Sequence, residues 1–404
     1  MPLSTIEYCS FLRGLSPLLL CLPLCLSFAC RNEPAAAPPQ TYTLTADSIP
    51  VYEGRWTPER AGAYYAEKGW QVGANYNPRN AINQLEMWQA ETFSPAMIDE
   101  ELGWAEAIGM NSMRVYLHNL VWEQDSTGYL QRIGRYLDIA DRHGISTTFV
   151  LFDAVWDPVA SLGRQPNPRP HLHNSGWVQS PTGQQLMNGS HYFPKGKSYV
   201  QGILRHFRDD ARIFAWDLYN EPDNMNNGKF PNEPRRKTDY TYELLNKTFE
   251  WARAINPSQP LTTGPWTGEL FSNPADDYEL GRFNAFQLAN SDLISYHNYG
   301  DTAYQRRTIE RLAPLGRPLL CTEYLARGYD SDIVNVLPLL HENNVSAYNW
   351  GLVSGKTQTA YPWASWDSTF TALPEVWHHE IFWPDGRAYD KAETAVFARL
   401  GGEE

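Results

Sequence analysis

Residues 212–224 read RIFAWDLYNEPDN. Ile213, Phe214, Ala215 and Trp216 form a short apolar, aromatic-rich run, the pattern of a buried strand. The run ends in Asn220, Glu221 and Pro222, so an amide and a carboxylate sit at the tip of a core strand. On a regular strand Asn220 and Glu221 face opposite sides. At a strand end, with proline breaking the ladder, both can turn to the same mouth.

Working outward, the same design recurs along the chain. Strand candidates are WQVGANY (70–76), NSMRVYLH (111–118), ISTTFVLFD (145–153), the opening stretch, PLTTGPW (260–266), DLISYHNY (292–299), RPLLCTEY (317–324) and VSAYNWGLV (345–353). Between them lie stretches of helical period: PAMIDEELGWAEAIG (95–109), YLQRIGRYLDIADRHG (129–144), a segment near 197–207, and DYTYELLNKTFEWARAI (239–255). Strand and helix alternating through eight repeats predict a single (β/α)8 barrel, a TIM barrel, with long βα loops. An open doubly wound sheet is the alternative, but GANYNPRN after the first strand is not a glycine-rich phosphate loop.

A barrel builds its active site at the C-terminal strand ends. The polar residues there are Arg114, Tyr116 and His118 on the second strand, Asp153 on the third, Asn220 and Glu221 on the fourth, His297 and Tyr299 on the sixth, Glu323 on the seventh, and Asn349 and Trp350 on the eighth. Glu221 and Glu323 are carboxylates from different strands, which is what glycoside hydrolysis needs: one protonated to serve the leaving oxygen, one ionised to attack the sugar carbon. Arg114 and the Tyr299 hydroxyl are suited to keep one of them charged. Asp217, of the same parity as Glu221, reads as a buried partner of an arginine. Read singly, Glu221 is a turn carboxylate and Glu323 a salt-bridged core acid, with Arg327 as its candidate partner.

Taken in barrel order, these motifs resemble the retaining β-glycosidases of clan A, and among them glycoside hydrolase family 5. The resemblance covers roughly residues 70–353. It implies that Glu221 is the acid/base and Glu323 the nucleophile. It further implies substrate-binding roles for Arg114, Asn220, His297, Tyr299 and Trp350, the last as a sugar platform. Family members often carry a histidine at the end of the third strand, where this chain has Asp153; His118 is the candidate to fill that role. The implied function is a retaining hydrolase of β-linked plant-type saccharide, β-mannan or β-glucan, without cofactor or metal. Alternatives are an exo-acting β-glycosidase or transglycosylase on the same scaffold, an inactive carbohydrate-binding barrel, and a metal-dependent barrel hydrolase. His171 and His173 are the residues a metal would require, although they read better as structural or substrate-binding.

Further aromatic residues follow strand ends: Trp122, Trp156, Trp177, Trp266, Trp363 and Trp366 are candidates for sugar stacking, whereas Trp104, Trp216 and Trp251 read as core. His378 and His379 read as helix-end or packing residues. The segments 154–194, 224–237 and 354–373 are long enough to wall a cleft.

The remaining features concern location and partners. The 404 residues carry a net charge of −13, which argues against nucleic acid and against docking on an anionic membrane. In residues 1–30, Arg13 precedes the apolar GLSPLLLCLPLCLSFAC, too short to span a bilayer and read as an export signal. Its end resembles a bacterial lipoprotein signal, with Cys30 as the lipid-bearing residue and the cell envelope as destination. Residues 31–42 are a Pro/Ala-rich linker and 43–404 the catalytic domain. Cys321 is the one cysteine beyond the leader, so neither an internal disulfide nor a thiolate metal site is expected. A monomer whose partner is carbohydrate, touching membrane only through the anchor, is the resulting expectation.

Overall fold

The eight strands are β1 (Val72–Tyr76), β2 (Ser112–Tyr116), β3 (Ser146–Val150), β4 (Ile213–Asn220), β5 (Leu261–Gly264), β6 (Ile294–His297), β7 (Leu319–Tyr324) and β8 (Ser346–Trp350). They come from a computed structural model, which describes residues 49–266 and 278–402. The strands form one parallel sheet in the order β5-β4-β3-β2-β1-β8-β7-β6. All eight residues of β4 are buried, as expected of a parallel strand covered on both faces. This is the (β/α)8 barrel. The leader, Cys30 and the linker lie outside the described residues. No helix among the described residues is long and apolar enough to cross a membrane.

The helices, in order, are α1 (Pro58–Lys68) before β1; α2 (Gln84–Trp88) and α3 (Pro95–Ala107) after it; α4 (Asn119–Arg142); α5 (Gly183–Met187) and α6 (Phe193–His206); α7 (Lys237–Ile255); α8 (Tyr278–Asn290); α9 (Thr302–Leu312); α10 (Ile333–Glu342); and α11 (Lys391–Gly401). Helix α4 starts ten residues before its expected first residue, Tyr129. Its first part breaks at Asp125 (φ −153°), and Asp125 to Gly128 interrupt the apolar period, so only the second part is legible as a helix. Helix α1 was not foreseen. Thr57 caps it by accepting from the Arg60 amide, and Pro58 opens its first turn. Its Ala61 and Tyr65, with Trp56, cluster with Phe214, Leu293 and Leu320 at the N-terminal strand ends. The helix therefore plugs the barrel floor and leaves the opposite mouth for chemistry.

Where β5 meets β6, Asp292 takes the place of a ladder. Fully buried, it accepts from the amides of Leu261 and Trp56, each at 2.8 Å, and pairs with Arg253 at 2.7 Å. The Thr262 hydroxyl completes the seam by donating to the Leu293 carbonyl at 2.8 Å. Asp292→Ala strands a buried guanidinium and two amides, at a cost of about 3–5 kcal/mol. Urea denaturation measures this; a loss under about 1 kcal/mol, the range of a surface pair, contradicts the role given to Asp292.

Candidate active site

The ends of β4, β6 and β7 are not regular strand. Register shifts occur between Asp217 and Asn220, between Tyr296 and His297, and between Cys321 and Tyr324. Bulges of this kind re-aim side chains beside active sites. Glu221 itself is left-handed (φ 45°), and so is Leu325 (φ 77°), two residues beyond Glu323. A non-glycine residue held there costs on the order of 1–3 kcal/mol. This turn, pinned by the Glu221 amide donating to the Gly264 carbonyl at 2.6 Å, brings Asn220 and Glu221 to the same mouth. Gly264 must stay small: a Cβ there would sit 3.0 Å from Arg114 Nη2 and 3.1 Å from His297 Nε2.

Glu323 is encircled by donors. Arg114 Nη1 reaches Oε1 at 3.1 Å, the Tyr116 hydroxyl donates to Oε1 at 2.9 Å, and the Tyr299 hydroxyl donates to Oε2 at 2.6 Å. Arg114 is fully buried and is held in turn by Asp217 Oδ2 (2.7 Å), Asn75 Oδ1 (2.7 Å) and Asn220 Oδ1 (2.7 Å). Asp217 is thus the arginine's structural partner. Arg327 pairs with Glu393 of α11 instead of Glu323. Burial raises the Glu323 pKa above 4.5, and nearby Glu221 adds to this, while His297, Arg114 and the Tyr299 hydroxyl pull it back down.

Glu221 has a different setting. Asn224 Nδ2 donates to its Oε2 at 2.7 Å and His297 Nδ1 lies 2.7 Å from Oε1, and neither is a fixed cation. Burial pushes the Glu221 carboxyl up to about 8. Burial also holds His297 down to about 4, so the imidazole is neutral at pH 7. One oxygen of each glutamate and one nitrogen of His297 all lie within 4.8 Å of one another. That closeness fits the roughly 5–5.5 Å carboxyl separation of a retaining glycosidase better than the roughly 6.5–9.5 Å of an inverting one. The three groups also have the spacing to ligate a cation, but the Arg114 guanidinium beside Glu323 repels a second positive charge there.

The glutamates open into a cavity of about 520 Å³. Asn220, Glu221, Tyr299, Glu323 and Trp350 line it, as do Trp156, Trp266 and Trp363 from the stacking candidates. Trp350 is half-buried, with Tyr116 at 5.8 Å and Trp177 at 5.7 Å meeting its ring edge to face. A sugar stacked on this ring is worth about 1–3 kcal/mol, so Trp350→Ala, which leaves both supports in place, tests the expected platform role by a fall in kcat/KM of roughly 5- to 150-fold. A drop in Tm without a kinetic change would place Trp350 in the core instead.

Of the expected binding residues Asn220, Tyr299 and Trp350 line the cleft, Arg114 and His297 lie just beneath it against the glutamates, and His118 and Asp153 touch neither. His118 is fully buried and uses both ring nitrogens internally, Nδ1 accepting from the Leu120 amide and Nε2 meeting the Gln179 carbonyl at 3.1 Å. It caps α4. Asp153 is also fully buried and accepts from Asn220 Nδ2 (3.0 Å), Trp177 Nε1 (2.7 Å) and Gln84 Nε2 (3.1 Å). Where the resembled family often has a histidine, this carboxyl orients Asn220 from behind; burial raises its pKa to about 7. His171 binds the Tyr361 hydroxyl at 2.6 Å, whereas His173 lines the cleft. His379 was expected at a helix end or in packing; it lies in irregular chain and lines the cleft too. Trp122 packs on Tyr199 away from the site.

Asn75 and Asn174 escaped the sequence reading. Period-two alternation on β1 would have found the first, which pairs in register with Arg114. Nothing local marks the second.

No model of a described protein family matches the chain. It is 25% identical over 214 residues to mannan endo-1,4-beta-mannosidase F of Aspergillus clavatus, an alignment covering 48% of this chain and 44% of that enzyme. Among solved structures, the endo-1,4-beta-mannanase from Rhizomucor miehei matches with a TM-score of 0.54 at 16% identity, covering 81% of this chain and 95% of that one. The exo-beta-1,4-mannosidase Op5Man5 from Opitutaceae bacterium strain TAV5 matches with a TM-score of 0.54 at 17% identity, over 88% and 62%. The chain spans about half the length of the curated relatives it matches, and its likeness to the solved structures is one of fold.

Proposed function

We propose that this chain is a retaining β-glycoside hydrolase of the family 5 type acting on β-linked mannan saccharides. The observation that carries the reading is the pair of glutamate oxygens within 4.8 Å, one glutamate ringed by an arginine and two hydroxyls and the other by neutral groups. The sugar follows from the sequence likeness to mannan-cleaving enzymes.

In the first step a Glu323 oxygen attacks the anomeric carbon as the glycosidic bond breaks, and Glu221 gives its proton to the departing oxygen. A covalent glycosyl–Glu323 ester forms. In the second step Glu221, now ionised, takes a proton from water, whose oxygen attacks the same carbon and releases Glu323. Two inversions leave the configuration unchanged. Asn220, fixed by Arg114 and Asp153, stands where it can hold a hydroxyl beside the reacting carbon.

The deciding experiment offers β-1,4-mannan, β-1,4-glucan and their oligosaccharides and follows the new anomeric centre by proton NMR. The β anomer is expected first, with mannan preferred. Initial α anomer would make the enzyme inverting, and no cleavage of any β-linked substrate would end the reading. The leader pattern further supports export and a lipid at Cys30. Labelling with a radioactive fatty acid tests this, with Cys30→Ala as the unlabelled control.

A further inference from the structure

The segments after β3 and β8 are fastened together. The Asn174 amide donates to the Thr357 carbonyl at 2.7 Å, the His173 amide to Ser365 Oγ at 3.0 Å, and Trp366 Nε1 to the His173 carbonyl at 2.9 Å. In the ring, β3 and β8 stand on either side of the β2–β1 pair. Joined loops from these two strands therefore close the rim over β1 and β2. Trp366 then stacks on Trp156 at 5.3 Å with planes 10° apart, and Lys229 Nζ meets Asp367 Oδ1 at 2.7 Å. These contacts carry the wall on to the loop after β4. Among the described residues, the most exposed ring lining the cleft from after β5 is Trp266 (36%), and from after β7 Tyr329 (54%). Among the described residues, these exposed rings mark the side of the cleft over β5 to β7 that the wall does not reach.

Chemistry orients the substrate in this half-closed cleft. Glu221 ends β4, beside β5, and its proton goes to the leaving oxygen, so the departing part of the saccharide lies toward Trp266 and away from the wall. The sugar that bonds to Glu323 and rests on Trp350 lies toward the wall. The walled end thus receives the non-reducing end of the chain.

The wall contains an unpaired group. Asn174 is buried to 1% exposure, lines the cleft, and has neither Oδ1 nor Nδ2 in a hydrogen bond among the described residues. A carboxamide left so costs on the order of 1–3 kcal/mol per unsatisfied group. One donor beside one acceptor matches two neighbouring hydroxyls of a sugar. His173 meets the Tyr361 carbonyl through Nδ1, and His379 meets the Leu325 carbonyl the same way. Each therefore keeps Nδ1 protonated and Nε2 bare, an acceptor for a third hydroxyl.

We propose that the cleft is a blind pocket in which Asn174 grips the terminal non-reducing sugar, so that the enzyme removes a product of fixed length from chain ends and does not cut within chains. This rests on the glycosidase reading above. The test uses β-1,4-manno-oligosaccharides of increasing length, each tagged with a fluorophore at the reducing end. One untagged product of a single length is expected from every substrate. A benzylidene cap on the non-reducing sugar is expected to block cleavage. Untagged products of several lengths in the first turnovers, or cleavage of capped substrate, overturn the inference and leave the glycosidase reading standing. No cleavage of any uncapped substrate overturns both.

Asn174→Gly keeps the left-handed backbone (φ 50°) and deletes the carboxamide. It is expected to raise KM about tenfold or more, the loss of roughly one to two hydrogen bonds, with Tm unchanged or higher. Lower Tm with KM unchanged would make Asn174 a loop residue and overturn its part in the proposal.

Discussion

Replacing Glu323 by alanine is expected to cut kcat by at least about four orders of magnitude, the scale on which losing a covalent nucleophile is felt. Folding should survive. The change removes a buried carboxylate but also frees Arg114, which retains Asp217 on the same guanidinium at 2.7 Å. The variant supplies its own control through azide. A small anion fits where the carboxylate was, on the face of the sugar opposite the leaving group. Attack from that face inverts the centre once, so an activated β-glycoside should yield the α-glycosyl azide. If azide restores turnover with retained configuration, a glycosyl ester still forms on some other residue and the nucleophile has been misassigned. A residual kcat within about a hundredfold of wild type, with no azide effect, would reduce Glu323 to an electrostatic helper.

How much of this was readable follows from where each interaction lies along the chain. Strands that turn polar at one common end are a local signal, so Arg114, Asn220, Glu221, His297, Tyr299, Glu323 and Trp350 could be read before any coordinates. The arithmetic of barrel order then placed them together. His118 and Asp153 obey the same end-of-strand rule, yet they sit behind the site. Whether a polar tip faces the cleft or the scaffold depends on what packs over it, here Gln179 for one and Trp177 with Gln84 for the other. The wall was the least legible part. Its bonds join residues near 173 to residues near 360, across nearly two hundred positions of irregular chain with no period to follow. Asn174 earns attention only when its buried, unpaired carboxamide is visible. Helix α1 was missed for a milder reason: it precedes the first strand, where the alternation that located the others has not begun.

Glu221 carries the second large effect, and its signature is in the leaving group and in pH. With the acid/base gone, as in Glu221→Ala, substrates with alkyl or sugar leaving groups should slow by about 10²–10⁴-fold, the usual worth of a positioned proton donor. A dinitrophenyl leaving group needs no proton, so the first step should survive and the ester to Glu323 accumulate as a burst. Azide here attacks that ester from the opposite face and gives the β-glycosyl azide, the reverse of the Glu323 outcome. In the wild type, kcat/KM should fall on the alkaline side near pH 8 as Glu221 ionises, and on the acid side as Glu323 protonates somewhat above 4.5. The two carboxyls titrate as a pair, so the limbs belong to the pair. Glu221→Gln should lose the alkaline limb on activated substrates. The same group taxes the fold. Its carboxyl sits at about 8 in the folded protein against 4.5 when free, so both states are protonated below 4.5 and no penalty exists there. Between 4.5 and about 8 the unfolded chain ionises while the folded one does not, and stability falls as pH rises, by up to about 1.4 kcal/mol per pH unit. Glu221→Gln removes this decline and preserves a carbonyl to accept from Asn224. The variant should therefore melt with wild type near pH 4.5 and above it near pH 8. If the two melt alike at both, Glu221 is already ionised in the resting enzyme and is not the proton donor.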